Sequence, residues 1–226
     1  LFLLLVLGVV PCAWTATRPH YGGILRVELR AAVTSLDPRD WPVDTVLAAT
    51  MEKLASLLFD RLVRLDENGR PQPGLALSWE RDAAAKRWQF RLRPGVRFHD
   101  GSVMNLEDAA AALEAIFERR AWPGGAPKVS VEGDRLVFQS DRPLPGLLDE
   151  LSRGPYYIFR TAQDGTLLGT GPFRLVGWQP QRHLVVAAYE DCWAGRAFLD
   201  QIQIQLSVPP AQQLLDLQVD KADMVE

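Results

Sequence analysis

Trp88-Gln89-Phe90-Arg91-Leu92-Arg93-Pro94-Gly95-Val96-Arg97-Phe98-His99-Asp100-Gly101 is the stretch on which the fold turns. Trp88, Phe90 and Leu92 alternate with polar residues, the period-two pattern of a strand with one face on a core. Upstream, Leu77 and Trp79 alternate in the same way, and the charged segment 82–86 between the two runs predicts a hairpin. Downstream, the segment around His99 reads as a turn between strand and helix. Asn105, followed three residues later by Asp108, then resembles a helix-start signal, predicting a helix through Ala109 to about Arg119.

Farther out, Gly22 and Gly23 lead into Ile24-Leu25-Arg26-Val27-Glu28-Leu29-Arg30. Leu25, Val27 and Leu29 share one side there, and Arg26, Glu28 and Arg30 the other, so a first strand with one buried face is expected. Over residues 44–62, Leu47, Met51, Leu54, Leu58 and Leu62 recur at helical spacing, and Asp44 is placed to cap the start. Asp66-Glu67-Asn68-Gly69 predicts a turn, because Asn and Gly tolerate positive φ. Strands at 128–131 and 135–139 flank the turn residues Glu132-Gly133-Asp134, and further strands are expected at 173–178, 183–189 and 201–206. From Pro209 a helical pattern carries Leu214, Leu217 and Val219.

The 226 residues suffice for one sizeable core or two modest ones, and 47% hydrophobic content suits an α/β body. With 25 basic against 28 acidic residues and no charge blocks, nothing favours nucleic acid, which selects for a basic face. Residues 1–13 form an uncharged apolar run of the length of a signal-peptide core, shorter than the ~20 residues of a membrane span. With no initiator Met or basic region ahead of Leu1, residues 1–16 read as the remnant of an export signal. Cys12 stands near the position of a lipidated cysteine, but Pro11 precedes it where Gly or Ala is expected, so lipid anchoring is not favoured. Cys192, the other cysteine, reads as a free, packed thiol.

Several segments in order carry a resemblance. They are Gly22-Gly23-Ile24-Leu25-Arg26-Val27, Ser35-Leu36-Asp37-Pro38, Leu62-Val63-Arg64-Leu65-Asp66, Pro73-Gly74-Leu75-Ala76-Leu77-Ser78-Trp79-Glu80, and the stretch from Phe90 to Gly101. Leu106-Glu107-Asp108-Ala109, Gly169-Thr170-Gly171-Pro172-Phe173, the 189–193 segment and Ala222-Asp223 continue it. Together they resemble the family 5 extracellular solute-binding proteins, the dipeptide-, oligopeptide- and nickel-binding components of ABC importers. Departures are Cys192, where the family often has Tyr before the Trp, and a short connection at 122–127.

The resemblance implies an α/β lobe of the type II periplasmic-binding-protein kind, with a mixed sheet and a hairpin-rich subdomain at about 44–165. The lobe is expected to span residues 17–226, with the second lobe missing and the ligand held in the cleft between the two. Function would be capture of a peptide or similar small solute in the periplasm or cell envelope, for an ABC permease, by a protein monomeric when complete. By the same resemblance, Trp41, Val43 and Asp44 belong to the first-lobe cleft wall, where main-chain groups would meet an extended ligand. Tyr156 and Tyr157, after Gly154-Pro155, are expected beside them. Two other readings, an exported hydrolase and an interaction protein built on the same lobe, remain as alternatives.

No catalytic residue, metal ligand or cofactor is expected. His99 reads as structural, His20 and His183 lie far from it in sequence, and no Cys/His/Asp spacing suits a metal. No nucleophile-elbow pattern accompanies the Ser, His and Asp residues. Gly169-Thr170-Gly171 lacks the Lys of a phosphate loop and runs into Pro172 and a strand, so a crossing of the sheet is expected. Trp79, Trp88 and Trp178 read as core.

Overall fold

The computed structural model describes residues 20–120, 122 and 125–226, so the segment 1–16 expected to be an export-signal remnant, and Cys12 within it, lie outside the described residues. Two sheets organise the chain. The first has five strands in the order Phe173–Gln179, His183–Ala188, Gln201–Gln205, Ile24–Glu28 and Met224–Val225. It is mixed: the first two pairings are antiparallel, whereas Ile24–Glu28 runs parallel to both of its neighbours. The second sheet is wholly antiparallel, in the order Ala76–Arg81, Arg87–Leu92, Arg135–Gln139 and Lys128–Glu132. This is the α/β fold expected, and Gly133 takes the positive φ of 61° that its turn requires.

Helix α1 (Thr45–Leu58) forms where the apolar stripe predicts, burying Met51, Leu54, Ala55 and Leu58, and the Asp44 carboxylate accepts from the Leu47 N–H at 2.8 Å. It ends four residues before the expected Leu62. Phe59 leaves helical geometry, and the Gly171 N–H takes the Leu58 carbonyl at 3.0 Å, so the irregular segment ahead of the Phe173–Gln179 strand supplies the partner that another helical turn would have supplied. Leu62 is fully buried all the same.

Helix α2 (Leu106–Arg119) carries the reciprocal cap read from sequence. The Asp108 N–H donates to Asn105 at 2.7 Å, and the Asn105 N–H donates to Asp108 at 2.9 Å. Asn105→Ala is expected to cost about 1 kcal/mol in urea unfolding. An unchanged midpoint would mean that tertiary packing alone holds this end. In the second sheet, Phe90 opposes Leu136 and meets the Phe138 ring edge-on at 5.1 Å, with Trp88 and Trp79 around it. Trp88 is buried there, while Trp79 and Trp178 are half-buried against the core. Cys192 is a free buried thiol.

Three inward–outward assignments differ from the alternation. Leu77 is exposed because a bulge between Ala76 and Ser78 shifts the pleat by one residue. Glu28, expected on the solvent face of the first strand, is buried with one carboxylate oxygen unpartnered. Desolvation, and then the nearby Asp216 carboxylate of helix α4 (Pro210–Gln218), raise its pKa. Asp216 and Lys221, from α4 and the chain after it, lie against Glu28, so this end of the face is covered while Arg26 two residues earlier stays partly exposed, a difference that alternation along one strand does not describe. Lastly, α4 buries Gln213, whose side chain donates to the Val208 carbonyl at 3.1 Å, and leaves Leu214, Leu217 and Val219 exposed.

Candidate functional site

An open cavity of about 680 Å³ lies where α1, the chain leaving it and the 152–157 segment meet. That volume suits a small organic ligand. Trp41, Phe59, Val63 and Tyr157 supply apolar wall, and the Trp41 and Tyr157 rings are tilted against each other at 6.0 Å.

Beneath the wall lies a charged clasp. Arg61 makes a two-point ion pair with Glu52 at 2.5 and 2.7 Å. It donates to the carbonyls of Ser152 (3.1 Å) and Gly154, and its guanidinium lies 3.8 Å from the centroid of the Tyr157 ring. The Tyr157 hydroxyl closes the cluster on Glu52 at 3.2 Å, and burial pushes its pKa up. Asp60 turns the other way, accepting from the Trp193 indole at 2.8 Å and the Thr170 hydroxyl at 2.9 Å; desolvation raises its pKa against these bonds.

Two cations at the same cavity have no such partner. Arg64 and Arg153 line it, are exposed, and make no ion pair or side-chain hydrogen bond among the described residues. A guanidinium without an ion-pair partner, in an aromatic-walled recess, can receive a carboxylate through two parallel N–H bonds.

Of the residues expected at a cleft from sequence, Trp41 and Tyr157 line this cavity, and both are largely buried. The Trp41 carbonyl accepts from Arg120 at 3.4 Å. Val43 is 93% exposed and does not line the cavity, and the Asp44 carboxylate is occupied in capping α1. Tyr156 packs instead with Trp122 and Phe117, at 5.4 and 5.7 Å, and burial pushes its pKa up to about 12. Sequence reasoning did not single out Arg61, Arg64 or Arg153. The one signal available for Arg153 is its place directly before the Gly154-Pro155 that introduces the two tyrosines.

His99 is structural. Its Nδ1 accepts from the Gly169 N–H at 3.3 Å, its Nε2 faces the Gly171 carbonyl at 3.2 Å, and its ring sits edge-on to Tyr189. Desolvation lowers its pKa to about 4, so it is neutral at pH 7. No group of three or more potential metal ligands occurs among the described residues.

Comparison with known proteins gives a consistent picture. Residues 70–226 match the family described as bacterial extracellular solute-binding proteins, family 5 Middle. An uncharacterised protein of Bacillus subtilis, YhjP, is 30% identical over 183 residues, 78% of this chain and 31% of that protein. The HTH-type transcriptional regulator SgrR of Escherichia coli is 30% identical over 67% of this chain and 28% of its own length. Among solved structures, a nickel ABC transporter protein of Bacillus halodurans superposes with a TM-score of 0.78 at 27% identity. That match covers 89% of this chain and 42% of that one. DppA of Helicobacter pylori, in complex with the peptide STSA, shares the fold at a TM-score of 0.72 and 19% identity, over 90% of this chain and 46% of its own. The chain thus spans less than half the length of each of these proteins.

Proposed function

Because the chain belongs to the family 5 bacterial extracellular solute-binding proteins, we propose that it forms one wall of a two-lobed cleft that captures a carboxylate-bearing small solute, such as a peptide, outside the cytoplasmic membrane for an ABC permease. The observation that carries the reading is the open cavity with Trp41 and Tyr157 on its wall and the unpaired Arg64 and Arg153 at its edge. An anion drawn to such a site exchanges hydration for charge-assisted hydrogen bonds, while the aromatic wall takes the apolar part of the solute. The nickel transporter protein and the peptide complex of DppA, both matched in fold, support small-solute capture. Binding requires no covalent step, and the two acids that line the cavity are already engaged, Glu52 by Arg61 and Asp60 by Thr170 and Trp193.

A second reading follows from the 30% identity to SgrR: the same lobe serves as the solute-sensing part of a regulator. Cell fractionation separates the two, since capture for import places the protein outside the cytoplasmic membrane and regulation of transcription places it inside.

Tryptophan fluorescence of the two-lobed protein, titrated with a mixture of dipeptides, tests capture. A saturable change with the peptides recovered intact is expected, and Arg153→Gln weakens it by at least about tenfold through loss of charged hydrogen bonds. Affinity unchanged by that substitution, or hydrolysis of the peptides, would overturn the reading.

A further inference from the structure

We infer that Arg61 is the positioning residue of this cavity: it holds the segment on either side of Arg153 so that the Arg153 guanidinium stands at the opening, ready for an anion. The inference rests on the proposed role of Arg153 and adds to it a residue that needs no contact with ligand. Arg61 donates to the carbonyls of Ser152 and Gly154, the residues immediately before and after Arg153. Gripped at both neighbours, the Arg153 backbone has little freedom to turn its side chain away.

Arg61 is itself held in three further ways. Its main chain pairs with Tyr157, its two terminal nitrogens meet both Glu52 oxygens, and its guanidinium plane lies against the Tyr157 ring. The side chain is 10% exposed, so the charge sits largely out of water with every terminal nitrogen engaged. Gly154 has a φ of 60°, the left-handed conformation that lets its carbonyl face back toward the clasp. Lysine cannot reproduce this arrangement. Its ammonium is a point charge with three donors, whereas the planar fork reaches one carboxylate and two carbonyls at once. Arg64 lies on a different segment, the Val63–Leu65 strand, and has no part in the clasp.

The difference between the two cavity cations gives the test. Arginine side-chain Nε–H signals of this chain are followed by NMR during titration with succinate, in the wild type and in Arg61→Lys. In the wild type, Arg64 and Arg153 signals are expected to move together and saturate. In Arg61→Lys the Arg153 response weakens by roughly tenfold while the Arg64 response survives, and unchanged tryptophan indole signals report an intact fold. A merely structural Arg61 would shift both responses alike or neither. Equal Arg153 affinity in the two proteins would overturn the positioning role alone, whereas no succinate response at either arginine of the wild type would overturn the anion-binding reading and this inference with it. Should Arg61→Lys fail to fold, Glu52→Gln loosens the clasp while leaving Arg61 in place, and the same selective loss at Arg153 is expected. An undiminished response there would count against the inference.

Discussion

Gly169→Ala is expected to destabilise the chain by about 3 kcal/mol or more, the upper range for forcing an atom into a packed interior. A Cβ at this position would lie 1.8 Å from the Leu58 carbonyl oxygen and 2.7 Å from the Phe59 ring. Both neighbours are fixed: the carbonyl belongs to the last turn of α1, and Phe59 is 2% exposed. Retreat would break the bonds through which Gly169 meets His99, its carbonyl accepting from the His99 N–H at 2.9 Å and its N–H donating to the ring. Gly171→Ala meets the same obstacle, with the Leu58 carbonyl carbon at 2.6 Å. Gly133→Ala is the control, because its φ of 61° sets a cost of only about 1 kcal/mol and no atom lies within 4 Å. Urea unfolding of the three variants decides the matter. A Gly169→Ala midpoint no lower than that of Gly133→Ala would mean that the crossing has room the packing does not show.

Acidification gives the second large effect. His99 has an ordinary pKa of 6.5, restored on unfolding, and about 4 when folded. Between those values the unfolded chain binds a proton that the folded chain refuses, so stability falls as pH drops from 6.5 and the loss is complete near 4. The shift corresponds to about 3 kcal/mol. Asp60 works in the opposite sense, since its raised folded pKa favours the folded state at low pH. Comparing wild type with His99→Gln cancels that contribution. Glutamine retains an N–H for the Gly171 carbonyl and an oxygen for the Gly169 N–H but does not titrate. Unfolding free energies between pH 7 and pH 4 should therefore fall more steeply for the wild type than for His99→Gln. Parallel curves would show that His99 takes up its proton as readily folded as unfolded.

The cavity was only partly legible before the fold was in view. Trp41 and Tyr157 could be reached through the family resemblance, with their places beside Pro and Gly-Pro segments as the local signal. Arg61, Arg64 and Arg153 could not, because nothing in the spacing of 25 basic residues tells a paired guanidinium from a free one. The ion pair of Arg61 joins residues nine apart, and its carbonyl bonds reach 91 and 93 residues along the chain.

What the sequence determined by itself is local. Period-two runs placed the hairpin and the later strands, three-and-four spacing placed α1, and Asn105 with Asp108 announced α2 through a cap that forms as written. Each rests on neighbours within a few residues, where backbone geometry leaves few choices. Tertiary structure alone decided where α1 stops, why Gly169 and Gly171 must lack a side chain, that Glu28 is buried, and that a bulge turns Leu77 outward. Those outcomes depend on segments distant in sequence competing for the same hydrogen bonds and volume, and close packing admits only one occupant.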